Sequence, residues 1–231
     1  MPCLGQMKPP AFMRELNPRR NTEGIARKTP LCSGNPGRYK VWLASANPSR
    51  INLVSITMGS ITLITGGVRS GKSAFALGLA GKGPPSLRRF LVATAEALDD
   101  EMRERIARHR GARPSNFETV EEPVALSKAL ARLDGRADVV VIDCITLWLS
   151  NLMMAGRGDE AVLAEGRALA EMLTAMRFES LLVSGEVGSG IVPENAAARR
   201  FADLLGWTNQ TLARAAERVI LMVAGCPMRV K

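Results

Sequence analysis

From Ile61 onward the chain alternates between short apolar runs and longer amphipathic stretches. ITLIT (61–65), FLVAT (90–94), VVVID (139–143), LLVS (181–184) and VILMV (219–223) are rich in β-branched or large aliphatic residues and predict strands. Between them the spacing predicts helices over 73–80, 99–109, 161–176, 196–205 and 210–218. Strands that are apolar along their whole length need cover on both faces. The pattern therefore predicts an α/β fold, a mostly parallel sheet flanked by helices. No internal repeat is apparent.

Residues 1–57 do not share this pattern. They hold seven of the thirteen prolines and show no sustained period, and so read as a disordered basic leader. Their acid-poor character loosely resembles a transit peptide, and they lack the continuous apolar core of a secretory signal. Met58 opens MGSITLITGG and would serve equally as a start, making 1–57 an over-extension. The folded domain is expected over 58–231.

Charge changes the picture less than its total suggests. The formal net charge is +9, but the leader holds nine Lys/Arg against two Asp/Glu. The remaining 22 Lys/Arg face 20 Asp/Glu, so the folded part is nearly balanced and no basic groove for nucleic acid is indicated. No apolar run approaches the roughly 20 residues of a membrane span. Cys3, Cys32, Cys144 and Cys226 are widely spaced without a CxxC pair, which fits a reduced, cytoplasmic protein with buried thiols.

The first chemistry lies directly after strand 61–65. Residues Gly66, Gly67, Val68, Arg69, Ser70, Gly71, Lys72 and Ser73 spell GGVRSGKS, which fits G-x-x-x-x-G-K-[ST] between a strand and a helix. Glycines let successive N–H groups curl around phosphate oxygens, and the following helix adds its N-terminal dipole. Lys72 would bridge the β- and γ-phosphates, and Ser73 would give a hydroxyl to Mg²⁺. The bland alternative is a tight glycine turn. Asp143, closing VVVID, suits a Walker-B acid that holds Mg²⁺ directly or through water; otherwise it caps the next turn or helix.

The only histidine, His109, sits in RIARHRGARP among Arg105, Arg108, Arg110 and Arg113. The preceding LDDEMRERIA reads as helix, with Asp99 and Asp100 as caps and Glu101–Arg105 and Glu104–Arg108 as i,i+4 pairs. Met102, Ile106 and His109 share one face. One reading leaves His109 partly buried at the end of that apolar stripe. The other uses the cations, which disfavour imidazolium and keep the ring neutral and nucleophilic toward a bound phosphate. A metal role is opposed by the lack of a second His or a suitably spaced Cys.

Together, GGVRSGKS, ATAEALDDEMRERIARHRGARP, TVEEP, VVVIDCITLWLSNLM, LLVSGEVGSGIVPENAAARRFADLLGWTNQ and AGCPMRVK resemble the bifunctional adenosylcobinamide kinase / adenosylcobinamide-phosphate guanylyltransferase family of cobalamin biosynthesis. The resemblance covers residues 60–231 and none of the leader. It implies a RecA-like P-loop domain, usually a homotrimer, with ATP or GTP and adenosylcobinamide as substrates. It implies guanylylation of His109, and a nucleotide site that adds Ala93, Thr94, Ala95, Arg110, Gly111, Ala112, Arg113, Glu121 and Asp143 to the phosphate loop. Ala93, Ala95 and Ala112 contribute backbone only, and Thr94 is equally readable as a strand-end hydroxyl. A hinge at Gly111 would let His109 reach the α-phosphate.

Two departures stand out. Gly185 occupies a position where the family carries Asn, and GWTNQ (206–210) lacks the arginine of the family's GR-NQ. The loop SGEVGSGIVP (184–193) follows a strand at the carboxyl edge, where Glu186 would touch substrate or Mg²⁺; the alternative is a loop supporting a subunit contact. Trp148 and Trp207 read as core or interface residues. Two other functions compete: a monofunctional P-loop kinase of a small metabolite, and a RecA-like ATPase acting on nucleic acid. The second would want basic and aromatic surface that the near-neutral domain, in a chain with 4% aromatic residues, does not offer.

Overall fold

The computed structural model describes residues 59–97, 100–111 and 114–231; within 100–111 the side chains of Glu101, Met102, Arg105, Arg108 and His109 are outside that description. The expectations for the leader, for Asp99, and for Ala112 and Arg113 therefore fall outside the described residues.

Among the described residues seven strands form one sheet: β1 (Ile61–Gly66), β2 (Arg89–Ala93), β3 (Glu118–Glu121), β4 (Val139–Asp143), β5 (Glu179–Val183), β6 (Arg218–Val223) and β7 (Cys226–Arg229). Their order is β3-β2-β4-β5-β1-β6-β7. The first six are parallel to their neighbours, and only β7 runs antiparallel, against β6. β1 and β4 are not neighbours, because β5 lies between them. All five expected strands are present.

Helices α1 (Lys72–Ala80), α2 (Asp100–Gly111), α3 (Leu126–Leu133), α4 (Ile145–Met154), α5 (Asp159–Ala175) and α6 (Ala196–Ala215) connect the strands. Two cores lie on opposite faces. Leu63, Val92, Val140, Ile142 and Leu182 meet α3 to α6 on one face. Ile64, Leu91, Val141, Val183 and Met222 meet α1 on the other. This is why the strands carry no polar alternation.

Several expectations need correction. The two helices foreseen over 196–205 and 210–218 are one, α6, which runs through Gly206 and ends before Arg218 opens β6. Leu204, Leu205, Thr208, Asn209 and Leu212 keep one face of it buried across the glycine, and tertiary packing outweighs the roughly 1 kcal/mol helix cost of Gly. α5 crosses α6 at Gly166, where an added Cβ would stand 3.2 Å from Thr208 Cγ2. The thiol of Cys226 is exposed on β7, not buried, because all four residues of that short edge strand face outward.

Two arginines are folded into the frame. Arg89, 3% exposed, donates to the carbonyls of Ala80, Leu87, Lys82 and Pro84, closing the C-terminal end of α1 onto β2. Arg218 pairs with Glu179 across β1 and donates to Thr62 Oγ1 at 2.9 Å; both members of the pair are largely shielded from solvent.

Candidate nucleotide site

The phosphate loop is shaped by sterics that only glycine satisfies. Gly66 has φ +147°, and a Cβ there would lie 2.5 Å from the Met222 carbonyl oxygen and 2.8 Å from Ser70 Oγ. Gly71, at φ +91°, turns the chain into α1. Arg69 also takes a positive φ, 56°, at the tip. The loop is braced from both sides. Gly225 N, in the β6–β7 turn, donates to Ser70 O at 3.1 Å, and Glu186 N donates to Gly66 O at 3.0 Å. Lys72 Nζ reaches back to Gly66 O at 2.9 Å and Gly67 O at 2.6 Å, which fixes its ammonium over the loop.

A cavity of about 540 Å³ opens beside this loop. Its walls bring together Gly66, Val68 to Ser73, Ala93, Ala95, Glu121, Asp143 and Glu186, with Ile106 contributed by α2. Leu91, Leu147 and Val183 add apolar surface, with Thr146 beside them. The sequence-expected residues thus converge from the ends of β1 to β5 and the start of α1, with α2 alongside. α2 carries His109 one turn beyond Ile106.

Some expected residues stand differently. Thr94 is fully buried and does not line the cavity. Its hydroxyl donates to Cys144 O at 2.6 Å and accepts from Cys144 N at 2.8 Å, stitching the end of β2 to the residue after Asp143. Arg110 spends its fork on Glu121, with Nε–Oε1 at 2.9 Å and Nη2–Oε2 at 2.6 Å, which ties α2 to the end of β3. Gly111 ends α2 as an exposed residue with open space at its Cβ direction.

Sequence reasoning passed over the residues that hold these ends in place. Asn151, on α4, donates from Nδ2 to Thr94 O at 2.8 Å and Pro123 O at 2.9 Å. Glu122 Oε1 accepts from Val124 N and Ala125 N and so caps the entry to α3. Asn209 donates to Gly185 O at 3.0 Å, while Ser184 Oγ donates to Asn209 Oδ1 at 2.6 Å. The signal available for Asn151 was a lone amide inside the apolar run ITLWLSNLMM. Thr146 Oγ1 accepts from Gly185 N at 2.6 Å, and a Cβ on Gly185 would come within 3.1 Å of that oxygen. Trp148 is core, its Nε1 donating to Val124 O at 3.0 Å, whereas Trp207 is half exposed.

Burial, with the negative Asp143 beside it, pushes the Cys144 thiol up to about 11. At pH 8 only about one thiol in a thousand is thiolate at that value. Brief treatment with iodoacetamide at pH 8 should therefore leave Cys144 unmodified and alkylate exposed Cys226, read by peptide mass mapping. Equal labelling of the two would contradict this environment.

Comparison with known proteins gives the family. A family model described as cobinamide kinase / cobinamide phosphate guanyltransferase matches residues 62–230. The bifunctional adenosylcobalamin biosynthesis protein CobP of Pseudomonas aeruginosa is 42% identical over 169 residues, covering 73% of this chain and 96% of the relative. The corresponding protein CobU of Escherichia coli is 38% identical over 181 residues, covering 73% of this chain and 98% of its own length. Among solved structures, a KaiC-like protein from Pyrococcus horikoshii aligns with a TM-score of 0.44 at 18% identity, over 71% of each chain. A match that runs from the first strand through the last, and so takes in the phosphate loop, His109 and Asp143, has one meaning: the chain belongs to the cobinamide kinase / cobinamide phosphate guanyltransferase family.

Proposed function

We propose that this protein phosphorylates the aminopropanol hydroxyl of adenosylcobinamide with a nucleoside triphosphate, then transfers GMP from GTP through His109 to the new phosphate, giving adenosylcobinamide-GDP. The observation that supports this most is a single cavity walled by the phosphate loop, Asp143 and Ile106 of the helix that carries His109. The names of the two bacterial relatives, both bifunctional, point the same way.

In the first step the loop N–H groups and Lys72 take the triphosphate, and the Lys72 contacts to Gly66 O and Gly67 O pre-position its charge. In the second, a ring nitrogen of His109 attacks the α-phosphorus of GTP, forming a P–N bond as pyrophosphate leaves. A phosphate oxygen of adenosylcobinamide phosphate then attacks that phosphorus, and the P–N bond breaks to restore the imidazole. Arg110, Gly111, Ala112, Arg113, Ala93, Thr94, Ala95 and Glu121 complete the nucleotide surroundings in this reading, Thr94 by fixing the backbone at the end of β4.

Ser73 and Asp143 suit Mg²⁺: both offer hard oxygen donors, and both line the cavity. The ion would supply neutralisation of phosphate charge. No described helix is long and apolar enough to cross a membrane. We read the protein as a cytoplasmic homotrimer, with exposed Ile191, Val192 and Trp207 as apolar surface suited to assembly.

Incubating the protein with α-³²P-GTP and denaturing it tests the covalent step. Acid-labile, base-stable label on the chain is expected, and an unlabelled wild-type protein would sink the guanylyl-transfer half of the reading. A monofunctional kinase would give that negative result.

A further inference from the structure

We propose that Glu186 is the general base of the phosphoryl-transfer step, taking the proton of the attacking hydroxyl; this rests on the kinase reading above. The sheet order puts β5 between β1 and β4. The residues that leave β5 therefore emerge between the phosphate loop and Asp143, on the edge where the γ-phosphate and its acceptor must meet. Glu186 is among them, and it lines the same cavity.

Its backbone is fixed more firmly than a loop residue requires. Glu186 N donates to Gly66 O at 3.0 Å, so the loop that carries the carboxylate is bonded to the first glycine of the phosphate loop. The residue before it is held on both sides, with Gly185 N on Thr146 Oγ1 at 2.6 Å and Gly185 O on Asn209 Nδ2 at 3.0 Å. Asn209 is 7% exposed and also reaches Glu186 Oε1 at 3.4 Å. One buried amide thus orients both the backbone and the carboxylate.

The three carboxylates on the cavity wall differ in what they are free to do. Glu121 carries a bidentate bond from Arg110, and Asp143 sits where the metal acid belongs. Among the described residues Glu186 has no ion-pair partner; its side-chain contact is the neutral Asn209 amide. Its carboxylate oxygens are thus not committed to a fixed cation, and one can accept the proton of a hydroxyl placed against it.

The step balances simply. As the hydroxyl oxygen forms its bond to the γ-phosphorus, the bond to the β–γ bridging oxygen breaks and the nucleoside diphosphate leaves. The hydroxyl proton passes to a Glu186 carboxylate oxygen and then to water. Asn209 acts as a positioning residue through Gly185 and Glu186.

The test is steady-state phosphorylation of adenosylcobinamide by the full chain, comparing wild type with Glu186→Gln and Glu186→Asp. Glu186→Gln should lower kcat about 100-fold or more, with the nucleotide KM within about threefold. Glu186→Asp, which keeps the base at shorter reach, should fall in between. Glu186→Gln turning over at the wild-type rate overturns the assignment, as does a loss carried by nucleotide KM alone. Should Glu186→Gln lose its thermal unfolding transition, Glu186→Asp decides: kcat unchanged from wild type overturns the assignment, and kcat reduced tenfold at constant KM upholds it. Wild-type protein that cannot phosphorylate adenosylcobinamide would instead overturn the kinase reading itself.

Discussion

His109→Ala should take up no acid-labile label from α-³²P-GTP and should lose guanylyl transfer by about 10⁴-fold or more, the scale set by removing a catalytic nucleophile. Phosphorylation of adenosylcobinamide should persist, because it needs the phosphate loop and not the imidazole. The chain has no other histidine to substitute. Label that survives in His109→Ala and is equally acid-labile would assign the phosphoramidate to a lysine instead, with Lys72 the first to test. That outcome would separate the two activities by one side chain.

Arg218→Ala should destabilise the fold by about 3–5 kcal/mol, the usual cost of leaving a buried charge alone. Its partner Glu179 is 5% exposed, and burial outweighs the arginine, so its carboxyl sits above the ordinary carboxylate range. The sign follows from proton counting. A raised native value means the folded state binds more protons than the unfolded one, so stability falls as pH rises from the unfolded value through the folded one. Removing Arg218 withdraws the attraction that lowers the native value and widens that window. The loss in Tm should be largest at neutral pH and shrink as pH falls below the ordinary glutamate value, where Glu179 becomes neutral in both states. Arg218→Met combined with Glu179→Met should recover most of the loss. A Tm deficit independent of pH would mean the arginine acts only through packing and its bond to Thr62.

What could be read in advance follows a physical division. The phosphate loop was legible because its glycine is dictated locally: Gly66 leaves no room for a Cβ beside Met222 O. The central strands were legible because burial on both faces leaves VVVID and ITLIT without polar alternation. β3 was not, since ETVE is a half-exposed edge, nor was β7, whose CPMR is wholly exposed and contains proline. α4 was hidden for the opposite reason. ITLWLSNLMM has almost no polar face from which to read a helical period, because Trp148, Leu149 and Leu152 are all buried. The positioning contacts were the least visible. Thr94 was readable as a strand-end hydroxyl, but not its bond to Cys144, 50 residues on, nor the bond Asn151 makes to Thr94 O across 57. No local pattern marks a partner at that distance.

The sheet order also sets when the enzyme can come into being during synthesis. β1 is made first, yet its two neighbours, β5 and β6, pair it at Ile61↔Ser180 and Thr62↔Arg218. Closing loops of well over 100 residues before a central strand is satisfied makes folding slow and leaves that strand's edges bare meanwhile. The phosphate loop leans on Gly225 as well. A ribosome should therefore have to deliver nearly the whole domain before the braced form of the loop can assemble. A nascent chain halted after α5 should hold the entire signature motif while lacking β5, β6 and the Gly225 contact that brace it.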